Sequence, residues 1–307
     1  MNRAIDLHLH TTASDGTLSP GELVGRAVER GLTAIAITDH DTIGGVREAL
    51  AAGADAGIEV IPGVEIGIAH DPARHLVEVD ILGYFIDPEH PELVEALDLL
   101  QKAKNDKLFK QLAVLAQNGY EIESGEVLAH AAGDTVRRPH IWKTLRAHYP
   151  DLRAEIFFDN TSFGGDWHVS RDFSLTLEAT VDLIERAGGV SSIAHPGAYN
   201  AVFTKHTELI DPDVDVAIGH CLDAGVCGIE VYYTYDKNRP FHDKTGPLIT
   251  PEERDELIAH YAAIARERGV LATGGTDFHG SNKPQIEVGE LDIPVELLAS
   301  LRAARPI

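Results

Sequence analysis

The residues of this chain that could do chemistry sit where apolar runs stop. In Asp6-Leu7-His8-Leu9-His10, alternation on an extended backbone sends His8 and His10 to one side, where both imidazoles reach one ion or, equally, line a half-exposed strand face. Asp15, in Thr12-Ala13-Ser14-Asp15-Gly16, either returns a carboxylate to that strand end or serves as a turn-former. Ile35-Ala36-Ile37-Thr38 stops in Asp39-His40-Asp41; Asp39 fits a group orienting an imidazole from behind, and Asp41 reads as a cap for the helix that follows. Glu65 ends Pro62-Gly63-Val64, where a buried carboxylate needs a positive partner and a pair of shared cations would supply it. His195 stands between Ile193-Ala194 and Pro196-Gly197, and Gly274-Gly275-Thr276 leads into Asp277-Phe278-His279.

Each of these groups has a structural explanation of its own. Together they imply a metal centre, because a parallel barrel gathers the ends of its strands on one face. The donors are imidazoles and carboxylates; Cys221 and Cys227, both expected as buried packing residues, are too few for a thiolate site. Such a set suits Mn²⁺, Zn²⁺, Fe²⁺ or Mg²⁺. Ions of this kind lower the pKa of water toward about 7 and offset phosphoryl charge, which is the chemistry of ester hydrolysis.

Strands must carry these groups. The β-rich runs are Ala4-Leu7, Ala34-Thr38, Ile58-Val64, Val77-Tyr84, Val190-Ala194, Gly228-Tyr232 and Val270-Gly274, and amphipathic helical stretches alternate with them, as in a parallel sheet or barrel of βα units. After Ser19-Pro20, the residues Leu23, Val24, Ala27, Val28 and Leu32 keep helical spacing, and Thr250-Pro251-Glu252-Glu253 supplies a cap, an N1 proline and a capping-box acid. From Pro91 to Leu152 helices follow one another without a strand, and residues 159–173 read as a loop that could cover a site. The expected organisation is therefore a barrel from 1–90 and 174–307, with a mostly helical insertion at 91–173 over the active-site face.

Composition narrows the partners. The 307 residues carry 26 basic against 49 acidic groups, a formal charge of −23 that repels long nucleic acids but still admits a small phosphorylated substrate, since bound metal ions reverse the sign of the local field. No run approaches the ~20 apolar residues of a membrane span, and the first residues lack the apolar stretch of a signal peptide. With only two cysteines as well, a cytoplasmic setting without a membrane partner is expected.

Taken in order, DLHLHTTASDGTLSP, ITDHD, GVE, AHPG and GTDFHG resemble the polymerase and histidinol phosphatase (PHP) family, across Asp6 to His279. The resemblance implies a distorted (β/α)7 barrel, amidohydrolase-like, holding two or three divalent ions, Mn²⁺ foremost. By that analogy His8, His10, Glu65 and Asp277 hold one ion, Asp15, His40 and His279 a second, and Glu65 with His195 a third. The family's histidine on the strand after the glutamate motif is replaced here by Asp80, with His70 and His75 as nearby alternatives.

The SDGTLSP opening and the insertion bearing Arg138-Pro139-His140 resemble the free-standing branch of that family acting on nucleotides. The activity implied is removal of the 3′-phosphate from nucleoside 3′,5′-bisphosphates such as pAp. His195 and Asp277 would serve catalysis, and Lys104, Arg137, Arg138 and His140 would clamp the other phosphate. Two further readings are 5′-to-3′ exonuclease action on short oligoribonucleotides and a metal-stabilised binding module without catalysis. Histidinol phosphate is another substrate to be tested.

Overall fold

The apolar runs fold into strands wherever β-branched residues alternate or cluster between turn formers. The computed structural model describes residues 5–130, 136–201, 209–237 and 249–306. Along them run β1 (Ile5–Asp6), α1 (Pro20–Glu29), β2 (Ala34–Ile37), α2 (Val46–Ala56), β3 (Glu59–Gly67) and β4 (Asp80–Tyr84). There follow α3 (Pro91–Gln117), α4 (Ser124–Leu128), α5 (Arg138–His148), α6 (Ala154–Thr161), α7 (Leu177–Arg186) and β5 (Val190–Ile193). The chain ends with α8 (Pro212–Asp223), β6 (Gly228–Tyr232), α9 (Pro251–Arg268), β7 (Leu271–Gly274) and α10 (Glu296–Ala303).

The seven strands pair in chain order from β1 to β7. Beyond the strand ends, Leu7 N–H donates to the Gly274 carbonyl at 3.1 Å, Asp277 N–H to His8 at 2.9 Å and His10 N–H to Phe278 at 3.1 Å, which closes the sheet into a barrel. One strand departs from the parallel arrangement expected from βα alternation: β4 runs antiparallel to both β3 and β5. The cause is the connection, since residues 68–79 contain only the 3₁₀ turn Pro72–Arg74, and a parallel pair needs a longer crossover. The reversal puts the first residue of β4, Asp80, opposite Gly67 at the far end of β3.

Helices cover the barrel through apolar stripes. Leu23, Val24 and Ala27 of α1 and Val46 and Ala49 of α2 pack on Ile35 and Ile37, whereas Ala34 and Ala36 pack with Ile5, Leu7 and Leu82. Val28 is half exposed at the margin of α1 despite its helical spacing. The capping box expected at Thr250 forms, since Thr250 Oγ1 accepts from Glu253 N–H at 3.2 Å while the Glu253 carboxylate accepts from Thr250 N–H at 2.7 Å; Ser19 and Glu22 make another at the start of α1. Helices α3 to α6 share a separate core, with Leu108, Leu115, Val127, Ile141, Leu145, Phe157 and Phe158 buried together. Cys221 is buried on α8, but Cys227 is exposed, contrary to expectation, because it lies in the turn before β6. No described helix is long and apolar enough to cross a membrane.

Candidate metal centre

The barrel brings the ends of β1, β2, β5 and β7, the middle of β3 and the start of β4 to one place. His8, His10 and Glu65 are fully buried, and Asp15, His40, Asp277 and His279 are all less than a tenth exposed. Glu65 lies among three imidazoles on its Oε2 side, with His40 Nδ1 at 2.9 Å, His8 Nε2 at 3.3 Å and His10 Nε2 at 3.4 Å. Its Oε1 faces His195 Nε2 at 2.9 Å. Asp277 Oδ1 lies 3.0 Å from His10 Nε2, and Asp15 Oδ1 lies 3.3 Å from His279 Nε2.

Among the described residues, three groups of donors are close enough to share a cation: His10, Asp15, His40 and His279; His8, His10 and Glu65; and His40, Glu65 and Asp80. These sets interlock differently from those implied by the family resemblance, since His10 and His40 each stand in two of them. A divalent ion fits these residues on independent grounds. His8 Nε2 and both ring nitrogens of His10 are sealed from solvent without a hydrogen bond, a costly state that coordination would relieve. Asp277 and His195 also hold left-handed backbone, at φ 55° and 27°, conformations that side-chain-bearing residues adopt only where their surroundings enforce them.

Of the groups that orient this cluster, Glu230, Tyr233 and Lys283 were not among the sequence expectations. Glu230 accepts from His8 Nδ1 at 2.9 Å on one oxygen and from the His195 backbone N–H at 2.7 Å on the other. Tyr233 OH and Lys283 Nζ both bond Asp277 Oδ2, at 2.7 and 2.6 Å, which leaves Oδ1 facing the imidazoles. Asp39 holds the loop that carries Asp15, accepting from Thr11 N–H, Thr11 Oγ1 and Ser14 Oγ at 2.6 to 2.8 Å, and so supports a carboxylate rather than the imidazole expected. Glu230→Gln would place an amide NH₂ against either the His8 or the His195 N–H. Metal affinity should fall roughly 10- to 100-fold, read by titrating the metal-free variant with Mn²⁺ in a calorimeter.

Beside the cluster opens a cavity of about 610 Å³, within the range of small-molecule sites. Asp15, His40, Asp80 and His279 form part of its wall, together with six basic residues: Lys104, Lys107, Arg137, Arg138, Arg171 and Lys283. Arg137 Nε meets Asp15 at 3.1 Å while its buried Nη1 makes no hydrogen bond. Arg138 bonds Ser162 Oγ at 2.7 Å and Glu78 at 3.2 Å. Lys104 pairs with Asp41, which also accepts from Gly67 N–H at 3.1 Å and faces Arg171. Asp41 thus anchors basic groups instead of capping α2, whose N-cap is Gly45.

His140 is not on the cavity wall; its Nδ1 accepts from Arg137 N–H at 3.2 Å within the first turn of α5. Of the alternatives near Asp80, His70 lines the cavity, whereas His75 is exposed beside Asp213 at 3.7 Å. Arg171 and Lys107 escaped the sequence reading. A basic residue in a loop or on a long helix carries no local mark of what it faces.

A mixed seven-stranded barrel with imidazoles and carboxylates buried at one mouth defines a class, the metal-dependent phosphoesterases. The family model of the PHP domain matches residues 6–184, and the chain belongs to that family. It is 32% identical to the 5′-3′ exoribonuclease Rnm of Escherichia coli, over 92% of this chain and 87% of that one. It is 30% identical to the 3′,5′-nucleoside bisphosphate phosphatase of Chromobacterium violaceum, over 94% and 92% of the two chains. A solved amidohydrolase from Chromobacterium violaceum, holding sulfate and no metal, superposes with a TM-score of 0.78 at 28% identity, over 99% of this chain and 98% of that one.

Proposed function

We propose that this phosphoesterase removes the 3′-phosphate of nucleoside 3′,5′-bisphosphates such as pAp, giving the 5′-monophosphate and phosphate, with Mn²⁺ as its ion. The observation that carries the reading is the cavity itself, in which one wall offers the donor cluster and the adjoining walls offer Arg137, Arg138, Arg171 and Lys107. A ligand with two phosphates could meet both at once. The helical segment 91–173 supplies most of those basic groups, which supports its place as an insertion over the barrel mouth.

His8, His10, Asp15, His40, Glu65, Asp80, His195, Asp277 and His279 would hold the ions. Bound ions of this class act as Lewis acids that activate water and neutralise phosphoryl charge. The water oxygen adds to phosphorus as the bond to the ribose 3′-oxygen breaks, and the proton that the water gives up passes to that departing oxygen, while His195 Nε2, which faces Glu65, would stay with the ions. Arg137 and Arg171 hold the other phosphate with planar guanidinium groups, which suit phosphate oxygens geometrically.

The relative in Escherichia coli, at 32% identity, favours a second reading, stepwise 5′-to-3′ cleavage of short oligoribonucleotides by the same centre. Comparing kcat/KM for pAp, a 5′-phosphorylated short RNA and histidinol phosphate separates the readings; a preference for RNA overturns ours. A full metal complement without turnover on any of them would point to a binding module.

Lys107 gives this substrate a pH signature. Burial, reinforced by Arg138 and Arg171, pushes its ammonium down to about 8. The group is charged below that pH and neutral above it. KM for pAp should therefore rise several-fold as the pH climbs from 7 to 9, and Lys107→Met should flatten that rise.

A further inference from the structure

The cavity has a third kind of wall that neither the donors nor the cations explain. His70 packs edge-on against Phe163 with ring centroids 4.4 Å apart, Phe163 packs edge-on against His168 at 5.3 Å, and all three line the cavity. Two elements of the fold contribute, the segment after β3 and the turn after α6.

This cluster is built rigidly. Thr161 and Ser162, just before Phe163, are each 1% exposed, and Ser162 is held by Arg138 from the side. Gly164 takes φ 82°, and a Cβ on Gly165 would lie 2.4 Å from the carbonyl oxygens of Asp159 and Asn160, so the turn folds tightly against the end of α6. Backbone hydrogen bonds from Gly165 to Ser162, from Trp167 to Asn160 and from His168 to Gly165, at 2.9 to 3.0 Å, fix the backbone that carries Phe163 and His168. The same segment continues to Arg171, whose guanidinium donates to the Gly67 carbonyl at 3.1 Å and lines the same cavity. One stretch of chain therefore ties an aromatic surface to a phosphate-binding guanidinium. Burial pushes His70 down to about 4, so its ring is neutral and aromatic at physiological pH.

We propose that Phe163, with His70 and His168, is the seat for the substrate's heteroaromatic base, and that recognition of the base is separable from recognition of the phosphates. The inference rests on the nucleotide reading above. An aromatic surface beside guanidinium groups accepts the flat face of any base, because stacking is tolerant of base identity.

The test is binding, measured by calorimetry with AMP and with ribose 5-phosphate, its counterpart lacking a base. The intact protein should bind AMP at least about tenfold more tightly than ribose 5-phosphate. Phe163→Ala should weaken AMP about tenfold while leaving ribose 5-phosphate unchanged, and Phe163→Trp should retain the preference. Equal affinities in the intact protein, or an AMP preference that survives Phe163→Ala, would overturn the proposal. Phosphate release from pAp is followed separately. In the intact protein, equal affinities for AMP and ribose 5-phosphate with turnover intact refute the seat alone, and absent turnover with the AMP preference present refutes the activity alone.

Discussion

Asp277→Asn is expected to strip the protein of bound metal and of turnover together, lowering kcat/KM on the order of 10³-fold or more, about 4 kcal/mol of transition-state stabilisation. The asymmetry of the carboxylate is the reason. Oδ2 is saturated by Tyr233 OH at 2.7 Å and Lys283 Nζ at 2.6 Å, and Oδ1 faces His8, His10 and His279 at 3.6, 3.0 and 3.3 Å. Burial alone would raise the pKa of this acid, but Lys283, His279 and His8 hold it well below the usual carboxylate range, so it is fully ionised. In Asn, an amide oxygen placed to satisfy Tyr233 and Lys283 turns its NH₂ toward the imidazole side, where a cation would meet donor hydrogens. The opposite orientation sets NH₂ against an ammonium and a phenol. The first orientation leaves no ligand in position, and the second offers only a neutral oxygen in place of the carboxylate charge, with an ammonium set against an NH₂. Metal content by atomic absorption and phosphate release from pAp check the outcome, and a variant retaining both would remove Asp277 from the centre.

Much of the architecture could be read from the chain because it is written in local chemistry. The seven apolar runs, the Ser19 and Thr250 caps and the imidazole-rich strand ends each depend on neighbours a few residues away. Strand direction is different, since a period of two looks the same in both senses. The reversal of β4 was therefore invisible, although it is what delivers Asp80 to the mouth of the barrel. Glu230 was hidden for another reason. It sits within an apolar run, and its partner His8 is 222 positions away, so the only mark was a charged residue in a strand otherwise fit for burial. Asp41 misled because an acid before a helix ordinarily caps it; the anchored cations, Lys104 and Arg171, come from distant segments.

The seam between β1 and β7 depends on a residue that has no side chain. A Cβ built on Gly275 would lie 2.2 Å from His8 Cβ, 2.3 Å from His8 N and 2.7 Å from His8 Cα. Two of those atoms are backbone, so no rotamer change relieves the clash and the strands must part. Parting them breaks the Leu7-to-Gly274 and Asp277-to-His8 hydrogen bonds that close the barrel, and moves His8 and Asp277 away from each other. Gly275→Ala should accordingly cost about 3 kcal/mol, at the upper end of overpacking penalties. For a chain of 307 residues the melting temperature should drop roughly 5 °C. Mn²⁺ affinity should fall with it, because the displaced atoms belong to the donor cluster itself. Gly25→Ala in α1, where an added Cβ meets nothing within 4 Å, is the matched control and should leave stability equal or improved by up to about 1 kcal/mol. Thermal melts and calorimetric Mn²⁺ titration of both variants make the comparison; a Gly275→Ala protein as stable as the Gly25→Ala control would mean that β1 and β7 do not meet as closely as the hydrogen bonds between them require.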